Sequence, residues 1–373
     1  MDEHHSHKAV LSALSIPPAA PRTLRAGGVR NKAIITLSLL AAMNLLIWAV
    51  AFFTLHHFPL LLGTATLAYT FGLRHALDAD HISAIDNVTR KLMADGQRPA
   101  LVGFFFSLGH STIVVLLSVA IALTAAHVQN HFENMRHVGG LIGTSVSAAF
   151  LLVIAGINLL VLRGVARAFA SVKRGEPYDP ENLDAAMAQL GILGRVFRPM
   201  LRLVDRSWKM YPVGFLFGLG FDTATEVGLL GISAAAATQG LPIWSILIFP
   251  MLFTAGMCLV DTADGLLMLG AYGWAFVHPV RKLYYNMTIT AVSVLIAIVV
   301  GGIELLGVIS DQLSLAGGFW DGIRKLDDHF WIVGVLIVAI FIFSWLASAF
   351  AYRIMGYKQL EEVVLAPLPA RSL

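Results

Sequence analysis

Charge is scarce in this chain. Only 13% of its 373 residues are Asp, Glu, Lys or Arg, about half the roughly 25% of an ordinary soluble domain. Hydrophobic residues make up 57%. That balance excludes an ordinary soluble domain and points to a chain embedded in a bilayer. Cysteine is almost missing. Cys258 stands alone, so an intrachain disulfide framework and a CxxC metal site are both excluded. No GxxxxGKS/T phosphate loop occurs, which rules out ATP hydrolysis through that motif. The net charge is only +3 despite a pI near 9.0, so a nucleic-acid partner is not expected. A signal peptide is not expected either. The first apolar stretch is short and broken by Pro17 and Pro18, and long apolar sequence starts only near Ala33. Residues 1–32 read as a polar cytoplasmic tail, with His4, His5 and His7 solvated in it.

Long apolar runs are abundant. A crossing needs roughly 20 mostly apolar residues. Eight runs qualify, at about 33–53, 60–84, 100–125, 139–162, 211–237, 242–273, 284–309 and 330–352. Helices are expected for all of them, because open strands cannot cross a bilayer. The connections alternate in basic content. Arg22, Arg25, Arg30 and Lys32 precede the first span, and no Lys or Arg lies in the connection after it, Thr54–Pro59. Arg90, Lys91 and Arg98 follow span two, and Arg136 alone precedes span four. The connection 163–210 is rich in Arg and Lys, the next has none, and Arg281 and Lys282 follow span six. By the positive-inside rule, an all-α membrane protein of eight transmembrane helices with both termini cytoplasmic is expected.

The chain then divides into the tail 1–32, spans one to four over 33–162, the connection 163–210, spans five to eight over 211–355, and the tail 356–373. Within the connection, Leu183, Met187, Leu190 and Leu193 recur at helical spacing, which predicts an amphipathic surface helix.

Self-similarity links the two halves. Phe71-Gly72-Leu73 recurs 146 residues later as Phe217-Gly218-Leu219. Phe106-Ser107-Leu108-Gly109 lines up with Phe253-Thr254-Ala255-Gly256 at an offset of 147. Ala155-Gly156-Ile157-Asn158 lines up with Gly301-Gly302-Ile303-Glu304 at 146. Spans two to four and five to seven therefore form an expected three-plus-three inverted repeat, a pattern of transporters that bind substrate at the repeat interface.

Ionisable residues inside a bilayer are expensive, at least ~2.5 kcal/mol each, and call for a partner, a cavity or a function. Span two carries Arg74, His75, Asp78, Asp80, His81 and Asp86; span three carries His110. Span five carries Asp222 and Glu226 with Thr223 between them, and span six carries Asp261 and Asp264. Imidazoles with carboxylates and little sulfur suit a borderline divalent cation such as nickel, cobalt or zinc. On a regular helix His75, Asp78 and His81 share a stripe roughly 120° wide, and Asp80 points about 140° away from His75. Either Asp78 joins the histidines on an intact helix, or Asp80 joins them on a bent one. Blander roles are expected elsewhere: Arg74 in an ion pair with an aspartate, Asp86 at the cytoplasmic interface, and His56, His57, His127, His131 and His137 near outward loops. His110, Asp261 and Asp264 remain open between polar helix contacts and a cation route. Asn44 in span one is a further candidate ligand.

The motifs together resemble the nickel/cobalt transporter (NiCoT) family of bacterial inner-membrane permeases over about 33–355. The resemblance rests on His75, Asp80 and His81 within RHALDADHI, on FSLGHST at 106–112, on LGFDTATE at 219–226, and on Gly256-Met257 followed by Asp261-Thr262 and Asp264. It implies uptake of Ni²⁺ and/or Co²⁺ as transported substrate, with no cofactor, feeding enzymes such as urease or hydrogenase, or cobalamin synthesis. It also implies that His75, Asp80 and His81 are essential to metal recognition. Rival expectations are efflux of the same ions and a membrane acyltransferase using His75 and Asp80 as a His-x4-Asp pair.

Overall fold

The computed structural model describes residues 26–124, 129–173, 204–220, 224–238, 241–275, 279–327 and 329–354, and all regular elements among them are helical. Helix α1 is Ala26–Leu55, α2 Pro59–His75, α3 Ala79–Ala94, α4 Val102–Thr124 and α5 Gln129–Lys173. After a 3-10 turn at Ser207–Lys209 come α6, Met210–Phe217, and α7, Ala224–Thr238. A single turn, Ile243–Ile246, leads to α8, Ile248–Ala275; α9 is Pro279–Gln312, α10 Gly318–Asp327 and α11 Phe330–Ile354. The polar tails, the stretch holding Leu183 to Leu193, and Asp222 and Thr223 lie outside the described residues.

Five of these helices are long and apolar enough to cross a membrane, or six if the pair α10 and α11, bent by 72°, counts as one crossing. The shortfall from eight has a local cause. Expected spans two and five are not continuous helices. Proline at its first position starts α2, where a missing N–H costs nothing. Ala76, Leu77 and Asp78 then close the helix with N–H bonds back to Gly72, Arg74 and His75. Asp78 turns extended (φ −65°, ψ 146°) in the N-cap position of α3. A carboxylate there normally accepts from the new helix's N–H groups, but Asp78 makes no such bond. In the second half, α6 stops at Phe217 and α7 starts only at Ala224.

Helix α3 runs on to Ala94, about two turns past Asp86, the last residue of its span's charged motif. Asp86 and Arg90, expected at the water interface and in a cytoplasmic connection, are 0% and 3% exposed. Large apolar side chains remain exposed on α1 (Leu45, Leu46, Phe53) and on α11 (Phe343, Phe350). Contiguous apolar surface of this kind suits lipid rather than water.

Close backbone approach sets the packing around the two breaks. A Cβ on Gly72 of α2 would overlap the Phe253 carbonyl of α8, and one on Gly214 of α6 would overlap the Phe106 carbonyl of α4. Gly256 of α8 faces the Tyr69 carbonyl in return, as Gly109 of α4 faces that of Tyr211. The pairing thus matches Tyr69 and Gly72 with Tyr211 and Gly214, 142 residues apart, one helical turn away from the 146-residue register of the Phe-Gly-Leu motif. The breaks are also covered by glycine. Gly334 of α11 leaves no room for a Cβ beside the Leu77 carbonyl, nor does Gly143 of α5 beside Gly220.

Candidate cation site

The first break decides the site. On an intact helix, six residues separate two side chains by about 9 Å along the axis. Here His75 closes α2 and His81 lies in the first turn of α3, and their ring centroids are 4.6 Å apart. His110 of α4 completes the group, with its ring 4.8 Å from His75 and 5.0 Å from His81. One donor atom from each of the three lies within 4.8 Å of the others, and all three residues are buried. Two nitrogens that share one ion at ~2.1 Å are at most ~4.2 Å apart, by analogy with zinc, so a small inward shift would close the three on a cation.

Carboxylates and hydroxyls orient the rings. His75 Nδ1 lies 3.0 Å from Asp78 Oδ2 and 3.3 Å from Thr225 Oγ1. This contact takes the carboxylate away from the helix cap and leaves His75 Nε2 turned inward, 3.0 Å from His110 Nε2. Glu226, in the first turn of α7, sets Oε1 at 2.8 Å from His110 Nε2 and 3.8 Å from His75 Nε2. His81 Nδ1 is 3.2 Å from Asp261 Oδ2 of α8, which also accepts a 2.5 Å bond from Ser107 Oγ of α4. A carboxylate on Nδ1–H holds an imidazole in the tautomer whose Nε2 lone pair is free for a metal. Nε2 of His81 is buried without a hydrogen-bond partner, the state of an unused ligand atom. Phe106 meets the His81 ring edge to face at 4.8 Å, and Phe253 lies 5.6 Å from His75. The two Phe residues that align across the chain halves thus each flank one histidine.

The other expected residues fall in different places. Asp80 is half-buried in the first turn of α3. Asp264 is buried on α8, three residues beyond Asp261. Asn44 donates to the carbonyls of Leu40 and Ala255, which ties α1 to α8. Arg74 is held over the Trp331 ring at 5.5 Å, and among the described residues no aspartate forms an ion pair with it. His56 and His57 are exposed, with ring centroids 3.7 Å apart and ring planes tilted by 42°. His127 and the side chains of His131 and His137 lie outside the described residues.

Sequence reasoning overlooked several buried polar groups. Glu304, 5% exposed in α9, accepts from Ser147 Oγ of α5 at 2.7 Å. Its signal was available, an acidic residue inside the apolar run GGIELL. Asn158 of α5 donates to Asn87 Oδ1, and Arg90 donates to Asn87 and to Thr290 of α9. These contacts fasten α3 to the α5–α9 pair. Ser107 stands in the FSLGHST motif and in the repeat that aligns with Phe253-Thr254-Ala255-Gly256, but its contact with Asp261 is not encoded locally.

Fold and site together define a polytopic helical membrane protein that buries an imidazole and carboxylate cluster suited to a divalent transition-metal ion. Residues 61–351 match the family described as high-affinity nickel-transport protein, NicO, and the chain belongs to that family. It is 53% identical over 343 residues to the high-affinity nickel transport protein of Cupriavidus necator, covering 92% of this chain and 98% of that one. It is 50% identical over 315 residues to the nickel transporter NicT of Mycobacterium tuberculosis, covering 83% of each. The cobalt transport protein NhlF of Rhodococcus rhodochrous is 41% identical over 288 residues, 76% of this chain and 81% of that one. No solved structure matches the chain. Family membership makes this a transport protein and removes the acyltransferase expectation.

Proposed function

We propose that the chain is a secondary transporter that takes Ni²⁺ and/or Co²⁺ up across the bacterial inner membrane. The observation that carries this reading is the convergence of His75, His81 and His110 with Glu226, from four helices, in a buried site. The names of the relatives, which include nickel and cobalt transporters, support the same substrates. His75, His81 and His110 act as nitrogen ligands and Glu226 as an oxygen ligand; Asp78 and Asp261 hold the rings. Asp80 stands at the edge of the cluster, and Asp222 and Thr223 belong to the same second-half motif as Glu226.

Eight crossings remain the preferred topology, with α2–α3 and α6–α7 each counted as one interrupted crossing and both termini in the cytoplasm. The reciprocal glycine contacts of α2 with α8 and of α6 with α4 support an inverted repeat, because each pairs a helix of one half with a helix of the other. Broken helices at the interface of two such halves are where transporters hold substrate. The ion enters from outside, exchanges water for imidazole and carboxylate, and faces inward when the halves rock. A charge of +2 moving inward gains roughly 4.6 kcal/mol per 100 mV of membrane potential, which supplies the driving force.

Accumulation of ⁶³Ni by cells that express the chain tests the direction. Uptake predicts several-fold more cell-associated nickel than in cells with empty vector at nanomolar to micromolar Ni²⁺. Accumulation below the vector control would replace uptake with efflux.

A further inference from the structure

Asp261 and Asp264 share one face of α8, three residues apart, or about 4.5 Å along the axis. Their surroundings differ. Asp261 Oδ2 is taken by Ser107 and His81. Asp264 is 9% exposed, and neither of its carboxylate oxygens has a hydrogen-bond partner. Among the described residues it has no ion-pair partner either. Buried carboxylates are normally paired or bound to a cation. Gly265, next in the chain, faces both neighbouring helices: a Cβ there would be in van der Waals contact with Ile85 of α3 at 3.4 Å and with the Gly103 nitrogen of α4 at 3.5 Å. Asp264 therefore sits at the α3–α4–α8 junction, beside the turn that carries the fully buried Asp86.

Direction along α8 gives this carboxylate its place. The helix runs from the uncharged turn near 239–242 toward Arg281 and Lys282, the basic and hence cytoplasmic end. Asp264 lies past the histidines on that side.

We propose that Asp264, with Asp86 beside it, forms a second cation station on the inward side, which receives the divalent ion from the histidine cluster. The proposal rests on the reading of that cluster as the transport site. Its donors are oxygen only. Imidazole suits nickel and cobalt better than carboxylate does, so the station binds these ions more weakly than the cluster. A weak site after a tight one solves a general problem of conduction, since the ion must be held well enough to enter and loosely enough to leave.

Equilibrium dialysis of the purified full-length chain against Ni²⁺, together with ⁶³Ni uptake by cells, tests this. Wild type is expected to bind one tight and one weak equivalent. Asp264→Asn keeps the tight equivalent, which also certifies its fold, loses the weak one, and takes up nickel at least tenfold more slowly. Asp264→Glu, which retains the carboxylate, restores the weak equivalent and part of the uptake. The station is overturned alone if wild type has no weak equivalent, if that equivalent persists in Asp264→Asn, or if Asp264→Asn transports within twofold of wild type. A tight equivalent that survives in His81→Ala overturns the histidine site and the station with it.

Discussion

The two interrupted segments invite comparison. In the first, three residues separate α2 from α3, and the break carries His75, Asp78, Asp80 and His81. In the second, six separate α6 from α7, and the described side chains at its far edge are Thr225 and Glu226. Both are seated against a glycine of another helix, Gly334 for the first and Gly143 for the second. The halves thus share an architecture and differ in chemistry. In the proposed site, one would contribute nitrogen donors, which confer preference for late transition metals, and the other oxygen, which confers negative charge and a link to the opposite half. A site split in this way can change when the halves move, because no single helix owns it.

The strongest way to break the comparison is to remove the nitrogen side. His81→Ala should lower nickel affinity by 100-fold or more and bring uptake to background, measured by dialysis and by ⁶³Ni accumulation. An unchanged affinity would assign metal binding to other residues. Glu226→Gln tests the oxygen side with almost no change in shape. It should lower uptake about 10- to 100-fold and weaken equilibrium binding less than His81→Ala does, because the histidines stay in place. If it weakened binding as much, the division of labour between the halves would be wrong. Asp261→Asn replaces the carboxylate that holds His81 with a neutral amide, and an effect of about 10-fold on affinity is expected for such a supporting group. The smallest effect concerns the seats of the breaks. Gly334→Ala overpacks the contact with Leu77 and should cost about 1–3 kcal/mol of stability. Gly63→Ala, on α2 with nothing near its added Cβ, should be neutral or slightly stabilising. Thermal unfolding in detergent compares the two; equal melting temperatures would remove the close approach at Leu77 from the account.

Much of this was legible in the sequence. Low charge and long apolar runs announced a helical membrane protein, and the angular count around span two showed that Asp80 could join both histidines only if the helix bent. The helix does break there. What the count missed was the use of the break. Asp78 neither joins the histidines on a shared stripe nor caps α3, but holds the His75 ring. Hydropathy averages over a window and is blind to where backbone hydrogen bonding stops, so spans two and five looked continuous. Asp86 and Arg90 looked like interface residues because α3 is polar in composition; their burial depends on packing against α8 and α9, which no local pattern encodes. The same holds for the pairing of His81 with Asp261, 180 residues apart. Glu304 was legible as an intramembrane charge and was overlooked.

The central claim is that three imidazoles from two sides of a helix break and one helix beyond hold the ion. X-ray absorption at the nickel edge, on the purified chain loaded with one tightly bound Ni²⁺, tests it most directly. The account predicts imidazole multiple scattering from about three histidines near 2.0–2.1 Å, by analogy with zinc, and the loss of that signal in His81→Ala, which retains no tightly bound ion under the same loading. A spectrum of oxygen ligands alone, or one that His81→Ala leaves unchanged, would contradict it.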